Sequence, residues 1–203
     1  TFDVDTVVTK TTAGLILLPI DHYLIDRMKR PIEDMNRIGK SACDQCSYCT
    51  ELCPRYLLGY DVQPHLVMRS LGFTQMGSKI WNTYSQLCCQ CGICTLYSCP
   101  EALYPREACV KGMTELRDIG KAKWEGPREV KEHPLKDSRR IPLKQLRKRL
   151  GVEQYEAEAE YVEMDVNPVQ VEIPLKQHVG APAQAVVKIG EKVSAGQLIG
   201  EMS

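Results

Sequence analysis

The residues best suited to chemistry in this chain are its cysteines, nine of which, from a total of ten, fall between positions 43 and 99. They form two groups, and each group begins with the spacing C-x2-C-x2-C and ends with a cysteine followed by proline. The first group contains Cys43, Cys46, Cys49 and Cys53, and the second contains Cys88, Cys91, Cys94 and Cys99. Three thiolates at such intervals can surround one face of an iron–sulfur cubane, so the pattern predicts iron–sulfur ligation.

The last cysteine of each group predicts how the two groups share their ligands. In proteins with two [4Fe–4S] clusters, the cysteine that precedes proline ligates the other cluster. The spacing therefore predicts two [4Fe–4S] clusters that exchange one ligand each and lie close together, as an electron relay requires. The predicted ligands of the first cluster are Cys43, Cys46, Cys49 and Cys99, and those of the second are Cys88, Cys91, Cys94 and Cys53.

Cys89, Cys99 and Cys109 make this ligand assignment less direct. Cys88 and Cys89 are adjacent, and only Cys88 keeps the two-residue interval to the next cysteine, so Cys88 is the predicted ligand. Four residues separate Cys94 from Cys99, one more than in the first group, which affects how Cys99 reaches its cluster. Cys109 lies on the apolar face of a predicted helix and is interpreted as a core residue and not as a ligand.

Two other cysteine chemistries fit the sequence less well. Structural zinc sites usually take two separated C-x2-C pairs, which leaves a third cysteine at the same interval unexplained. Disulfide frameworks are typical of short secreted domains, and cysteines packed two residues apart do not form one readily. A non-catalytic scaffold with zinc in the cysteine sites is kept as an alternative hypothesis.

Composition limits the remaining function classes. The 203 residues include 26 basic and 26 acidic ones, so a net charge of zero implies no general attraction to nucleic acid. The longest apolar run, Gly14 to Ile20, is far too short to span a bilayer. Ten cysteines without a secretory signal predict a reducing, cytoplasmic location. The sequence shows no Ser/His/Asp arrangement, phosphate loop or dinucleotide-binding Gly-x-Gly motif, so no catalytic residue is predicted.

The segments around the cysteines favour short helices. Residues 21–40 carry apolar residues at helical spacing, with Met35 among them, and Pro31 interrupts the pattern. Residues 64–71 and 78–87, the latter with Ile80 on its apolar face, are also predicted helices. A further helix is predicted to begin at Pro105.

The two ends of the chain favour strands. Residues 1–20 contain a β-branched stretch from Val4 to Val8 and a second apolar run from Leu15 to Leu18, which predict a strand pair. In residues 166–203, apolar and polar residues alternate around Val169 to Ile173, and Val186 to Ile189 precede glycine turns. This pattern predicts part of a small barrel or sandwich.

Residues 121–149 are strongly basic, with eleven Lys or Arg against four Asp or Glu. One interpretation is a solvated linker that ends in a short basic helix, and the other is a docking surface for an acidic partner. Residues 153–165 are acidic and could neutralise the basic stretch internally.

The cysteine motifs with their flanks resemble the cobalamin-reductase flavoproteins of propanediol-utilisation bacterial microcompartments, a family related to the RnfC subunit of membrane ferredoxin–NAD oxidoreductases. The resemblance lies in CDQCSYCTELCPRYLL (43–58) and LCCQCGICTLYSCPEALYP (87–105). The stretch VTKTTAGLILLP (8–19) resembles the segment that precedes the clusters. IPLKQHVGAPA (173–183) and VKIGEKVSAGQLIG (187–200) resemble a barrel-sandwich module related to lipoyl and biotinyl domains.

The patterns and the resemblance together predict an α+β fold, with a helical ferredoxin-like double [4Fe–4S] domain and a partial β barrel-sandwich module. The predicted parts are 1–38 (strand pair and helix, the tail of a preceding domain), 39–125 (dicluster domain), 126–165 (charged linker) and 166–203 (barrel-sandwich module). The family's NADH- and flavin-binding domain lies upstream of Thr1, so the chain is expected to be a piece of a longer protein. No lipoyl or biotinyl group is expected, because Lys188 and Lys192 lie outside the hairpin context of a modified lysine.

The resemblance implies that the complete protein passes electrons from NADH through FMN to the two clusters and on to cobalamin or a corrinoid protein. It implies a microcompartment location, with the upstream flavin domain and a shell iron–sulfur protein as partners. An RnfC-type subunit of a membrane ferredoxin–NAD oxidoreductase is the alternative within the wider family. The zinc scaffold is the alternative outside it.

Overall fold

The computed structural model describes residues 6–71, 81–127, 129–155, 158, 160–165, 167–178 and 180–202, apart from the side chain of Met35. The chain divides into two compact units. One is Ile20–Glu158, and the other combines Thr1–Pro19 with Ala159–Ser203. All ten cysteines belong to the first unit. This division into two units does not test the four domain boundaries predicted from the sequence, which stay a prediction.

Within the described residues, the α-helices of the first unit are mostly short. They are α1 (Tyr23–Lys29), α2 (Ile32–Ala42), α3 (Tyr48–Glu51), α4 (Pro54–Leu57), α5 (Pro64–Ser70), α6 (Pro105–Asp118) and α7 (Leu143–Arg149). Pro31 separates α1 from α2, because the residue before a proline is driven out of the helical region, and Arg30 is extended (φ −68°, ψ 131°). Helices α4, α5 and α6 begin with proline, whose missing N–H is not needed in a first turn. The predicted helices over 21–40, over 64–71 and from Pro105 are confirmed.

Other helical turns complete the first unit. Asn82–Ser85 and Glu153–Tyr155 form 3₁₀-helices, and Cys94–Ser98 forms a π-helix. The helix predicted for 78–87 lies partly outside the described residues, Ile80 included, and its described part contains the first 3₁₀-helix. No helix within the described ranges combines the length and apolarity that a bilayer crossing needs.

The core of the first unit lies where α5 meets α6. Its buried residues are Val67, Met68, Leu103, Ala108 and Cys109, and Cys43, Cys88 and Cys99 pack against them. Cys109 is fully buried here, as the helical pattern predicts. Gly112 lets α6 approach the 3₁₀-helix closely, because a Cβ at this position would lie 2.9 Å from Ser85 Oγ. The hydrophobic core and the cysteine groups are therefore one packed body.

The strand pair predicted for residues 1–20 is wrong for the described part, 6–20, which forms no strand. Leu15, Ile16 and Leu17 are more than half exposed, so no element among the described residues covers this apolar run. A strand pair without such a partner is marginally stable at best. Lys10 N instead donates a 2.8 Å hydrogen bond to Gln177 Oε1 within the same compact unit. Val4 lies outside the described residues.

The β pattern predicted for 166–203 is confirmed only in part. Strand β1 (Gln184–Ala185) pairs antiparallel with β2 (Gly200–Glu201), with Ala185 opposite Gly200. Val186 N extends the pairing by donating to Ile199 O at 3.0 Å. The described residues around Val169 form no strand, because its side chain is fully exposed and has no apolar surface to pack on.

Candidate metal centre

A small cavity in the first unit is lined by cysteines from both sequence groups. Cys43, Cys46 and Cys49 come from the first group, and Cys99 joins them from the second. Residues of α5 and of the loop before α6 form much of the remaining wall. The structure therefore brings together the four cysteines that the sequence predicts as ligands of the first cluster.

The other four predicted ligands are also electrostatic neighbours. This second set consists of Cys53, Cys88, Cys91 and Cys94. Cys53 interacts with two cysteines of the second sequence group, whereas Cys99 interacts with two of the first. Cys49 and Cys94 interact across the sets, so the two sets adjoin. Each set thus combines three cysteines of one group with the last cysteine of the other.

The protonation of these thiols indicates what kind of group they can hold. Burial and nearby thiolates raise the pKa of Cys49 to about 12 and that of Cys53 to about 11. The same causes raise the pKa of Cys94 well above its ordinary value. Thiolate charges repel one another in a partly dry site, so the thiols resist ionisation by themselves. Iron cations among the sulfurs remove this obstacle, because a coordinated thiol is deprotonated. Both donor sets therefore fit an iron–sulfur cluster.

The two C-x2-C-x2-C loops share the same backbone conformation. Gln45 and Ser47, on either side of the middle cysteine of the first group, have positive φ angles of 61° and 64°. Gln90 and Gly92 hold the corresponding positions in the second group, with φ of 57° and 80°. Left-handed conformation costs about 1–2 kcal/mol for a residue with a Cβ, which Gly92 avoids. This repeated, partly strained loop is typical of a chain shaped around a ligand.

The correspondence of the loops also bears on the adjacent cysteines. It aligns Cys88, and not Cys89, with the first cysteine of the first group. Cys89 is exposed, whereas Cys88 is half-buried against the core. A hydrogen bond from Cys109 lowers the pKa of Cys88 to about 6, and the charges of Arg106 and Arg55 act in the same direction. These surroundings stabilise a thiolate at Cys88.

The longer interval before Cys99 is taken up by the π-helix. In the first group, the α-helical α3 fills the interval between the last two cysteines. In the second group, Cys94–Ser98 forms the π-helix, whose wider turn absorbs one additional residue. Cys99 then leaves the π-helix extended (φ −77°, ψ 116°), as Cys53 follows α3 (φ −72°, ψ 121°). The additional residue therefore leaves the backbone at the last cysteine unchanged.

Backbone amides are directed at several of the sulfurs. Leu103 N donates to Cys99 Sγ at 3.3 Å, and Gln90 N donates to Cys88 Sγ at 3.4 Å. The amides at the start of α4 act similarly on Cys53, where they partly oppose the effect of burial on its pKa. Donors of this kind stabilise negative charge on ligating sulfurs and tune the potential of a bound cluster.

Sequence analysis did not identify Arg27 of α1 as part of the site, because neither spacing nor composition distinguishes it. Its guanidinium donates to the carbonyl oxygens of Thr95, Ala102 and Leu103 at 3.2, 3.0 and 3.2 Å. It also lies 4.3 Å from the ring centroid of Tyr104. Arg27 thus fastens α1 to the segment that carries Cys99.

Zinc in the cysteine sites is the alternative to an iron–sulfur cluster. In the part of the chain that the structure describes, no three His, Cys, Asp or Glu side chains are arranged to hold one metal ion. Zinc requires its sulfur ligands at about 2.3 Å from a common point. The cysteines of the first set instead line a cavity. The zinc scaffold stays an alternative hypothesis, which iron, sulfide and zinc analysis distinguishes from the cluster.

Comparison with known proteins agrees with this site. A family model described as 4Fe-4S dicluster domain matches residues 42–104, and one described as RnfC barrel sandwich hybrid domain matches residues 149–203. The cobalamin reductase PduS of Salmonella typhimurium is 34% identical over 198 residues, which cover 98% of this chain and 44% of the relative. The cobalamin reductase PduS of Citrobacter freundii is 33% identical over 198 residues, with the same coverage. No solved structure matches the chain.

The chain spans less than half of the length of these curated relatives, 44% in both cases. The matched family segments contain most of the stretches that carry the resemblance, namely both cysteine groups and the residues from 173 to 200, whereas residues 8–19 lie outside them. This chain is therefore related, over nearly its whole length, to a part of the cobalamin reductases PduS, which confirms the family resemblance of its cysteine motifs and their flanks.

Proposed function

We propose that this chain holds two [4Fe–4S] clusters and relays electrons through them within a cobalamin reductase. The proposed ligands are Cys43, Cys46, Cys49 and Cys99 for the first cluster, and Cys88, Cys91, Cys94 and Cys53 for the second. The proposal is carried by the grouping of eight thiols into two adjoining sets, each with one cysteine exchanged. When bound, such a cluster supplies one-electron transfer.

The chain's own residues set the conditions for that transfer. The thiolates hold the iron, and the amides of Leu103 and Gln90 stabilise charge on the ligating sulfurs. The core around Cys109 excludes water from the side on which Cys88 and Cys99 pack. Cys91 is exposed, so the second set reaches the surface. These features support a relay with one protected side and one side open to a redox partner.

The role of the complete protein is a broader proposal. The relatives are named cobalamin reductases, and the family resemblance adds an NADH- and FMN-binding domain. We therefore propose that electrons pass from NADH through FMN and the two clusters to cobalamin or a corrinoid protein. A cytoplasmic microcompartment location and a shell iron–sulfur partner belong to the same proposal.

A second candidate is an RnfC-type subunit of a membrane oxidoreductase. The match of residues 149–203 to the RnfC barrel sandwich hybrid domain favours it. The two candidates differ in their partners. Co-purification of the full-length protein with integral membrane subunits supports the second, and corrinoid reduction by the full-length protein supports the first.

The relay is tested by the iron and acid-labile sulfide content of the anaerobically reconstituted chain, with EPR after dithionite reduction. We expect about eight irons and eight sulfides per chain and a spectrum of two coupled clusters. Cys49→Ser should lose or severely alter one cluster. Bound zinc without sulfide, or two intact clusters in Cys49→Ser, would contradict the assignment.

A further inference from the structure

Residues 139–149, here called the basic segment, contain six Lys or Arg and no Asp or Glu. Most of the segment forms α7, in which no residue is buried. Positive charges in the last turn of a helix complement its dipole, which accounts for part of this composition. Lys144 lies in the first turn, where the dipole disfavours a cation. Helix stability alone therefore does not explain the charge of α7.

The basic segment is fastened to both links between the cysteine sets. Arg139 forms a 2.9 Å ion pair with Glu51, which lies in the link between the last two cysteines of the first group. Tyr97 Oη donates a 3.0 Å hydrogen bond to Gln145 Oε1 of α7 from the corresponding link of the second group. Helix α7 also packs against the π-helix that forms this second link.

This attachment determines where the charge lies. Each link joins a cysteine of one proposed set to a cysteine of the other, so the basic segment lies beside the junction of the two sets. Lys144 and Lys148 are exposed and one turn apart. Within the described residues neither of them forms an ion pair. Their charges are therefore available to an approaching molecule.

We propose that the basic segment is the docking surface for an acidic electron-transfer protein that exchanges electrons with the cluster pair. This inference rests on the proposed function. Complementary charge accelerates and orients the encounter of two proteins, and here it brings the partner's redox centre to the junction of the clusters. One electron then leaves a reduced cluster and reduces the partner's centre, and no bond is formed or broken.

An anionic membrane is the main competing occupant of such a surface. A helix that binds membranes buries a broad apolar face, whereas α7 has only two apolar residues, Leu143 and Leu146. The hydrogen bond of Tyr97 to Gln145 also holds α7 beside the cysteine motifs. A position beside the cysteine motifs gives no advantage to lipid binding, but it shortens the electron-transfer distance between the proposed clusters and a docked redox centre. The attachment of α7 therefore favours a protein partner.

The experiment measures binding of the reconstituted full chain to oxidised plant-type ferredoxin, a small acidic [2Fe–2S] protein, by calorimetry at low and high salt. The test variant is Lys144→Glu/Lys148→Glu. The matched control is Lys188→Glu/Lys192→Glu, which changes the net charge equally in the terminal part of the chain. We expect the dissociation constant of the test variant to rise about tenfold at low salt and that of the control to change less than about twofold. High salt should reduce the difference, because the Debye length shortens.

Four results would overturn the proposal. Equally weakened ferredoxin binding in both variants would mean that only net charge matters. Unchanged ferredoxin binding in the test variant would show that the basic segment is not the docking surface. Loss of binding to vesicles of phosphatidylglycerol in the test variant, with ferredoxin binding intact, would assign the surface to a membrane. Iron and sulfide are measured on the same samples. If the unmodified chain holds iron but does not bind ferredoxin, the docking surface alone is contradicted. If it binds ferredoxin but holds no iron, the proposed function alone is contradicted.

Discussion

Hydrogen bonding to the buried Cys109 thiol lowers the pKa of Cys88, although Cys109 lies on α6, outside both cysteine groups. This hydrogen bond and burial both raise the pKa of Cys109, so its thiol keeps the proton that it donates. The hydrophobic core thereby reaches a proposed ligand of the second cluster. A residue that sequence analysis interprets as core packing also acts on the site.

We expect Cys109→Ala to lower the reduction potential of one cluster while both clusters remain bound. Removal of a hydrogen-bond donor leaves more negative charge on the ligating sulfur, which disfavours the reduced cluster. Cys109→Ser keeps a hydrogen-bond donor, so its reduction potentials should stay closer to those of the unmodified chain. EPR-monitored redox titration measures both. Unchanged potentials in Cys109→Ala would show that the hydrogen bond has no influence, and loss of iron would make Cys109 a ligand.

The exchange of ligands between the two cysteine groups predicts that two double substitutions leave different amounts of bound iron. If Cys53 serves the second cluster, Cys53→Ala/Cys88→Ala removes two ligands from one cluster and should leave about four irons. Cys49→Ala/Cys53→Ala removes one ligand from each cluster and should leave far fewer. Iron analysis after anaerobic reconstitution gives both values.

The adjacent exposed cysteine supplies the control for this experiment. Cys89→Ala removes a thiol that no proposed set contains and should keep about eight irons. The reverse order of the two double variants, with more iron in Cys49→Ala/Cys53→Ala, would show that each group ligates its own cluster.

The sequence predicts three cysteines of each set because their spacing is a local property, and it predicts the fourth from the cysteine–proline pattern of two-cluster proteins. The structure brings the predicted first set together around one cavity. The helices from Pro64 and from Pro105 are equally local, since a proline start and an apolar stripe lie within each segment. Interactions of this short range are visible in a single sequence.

Contacts between distant segments could not be predicted in this way. Composition describes residues 121–149 only as charged, whereas the ion pair of Arg139 with Glu51 depends on how the chain folds back. The strand prediction for 1–20 failed for a related reason, because an apolar run forms a strand only beside a partner. The π-helix lies between these cases, since the sequence shows the additional residue before Cys99 but not the turn that absorbs it.

Arg27 should contribute to stability through its contacts with the segment that carries Cys99. Arg27→Met removes three charge-assisted hydrogen bonds to carbonyl oxygens, so we expect a loss of about 2–3 kcal/mol in the free energy of unfolding. Arg30→Met is the control, because Arg30 forms an exposed pair with Asp26 and should change little. Urea unfolding of the reconstituted chain compares the two variants. Equal effects would mean that Arg27 does not fasten this segment.

Gly59 tests whether the segment that leads to α7 is packed against α4. A Cβ at position 59 would overlap the carbonyl oxygen of Lys131, and the φ of +94° is unfavourable for alanine. His133 N donates to Leu57 O at 3.0 Å in the same contact. We therefore expect Gly59→Ala to displace the segment from Lys131 onward and to increase proteolytic cleavage between residues 131 and 150.

The matched control is Gly120→Ala, which shares the positive φ (+71°) but has open space around the added methyl group. It should carry the conformational cost of about 1–2 kcal/mol without exposing the segment to protease. Limited proteolysis with mass spectrometry separates the two effects. Both variants carry the backbone strain, but only Gly59→Ala also overlaps with Lys131. Similar cleavage of both would mean that residues 131–150 are not held against α4. The attachment of the basic segment beside the cysteine sets would then lose one of its supports.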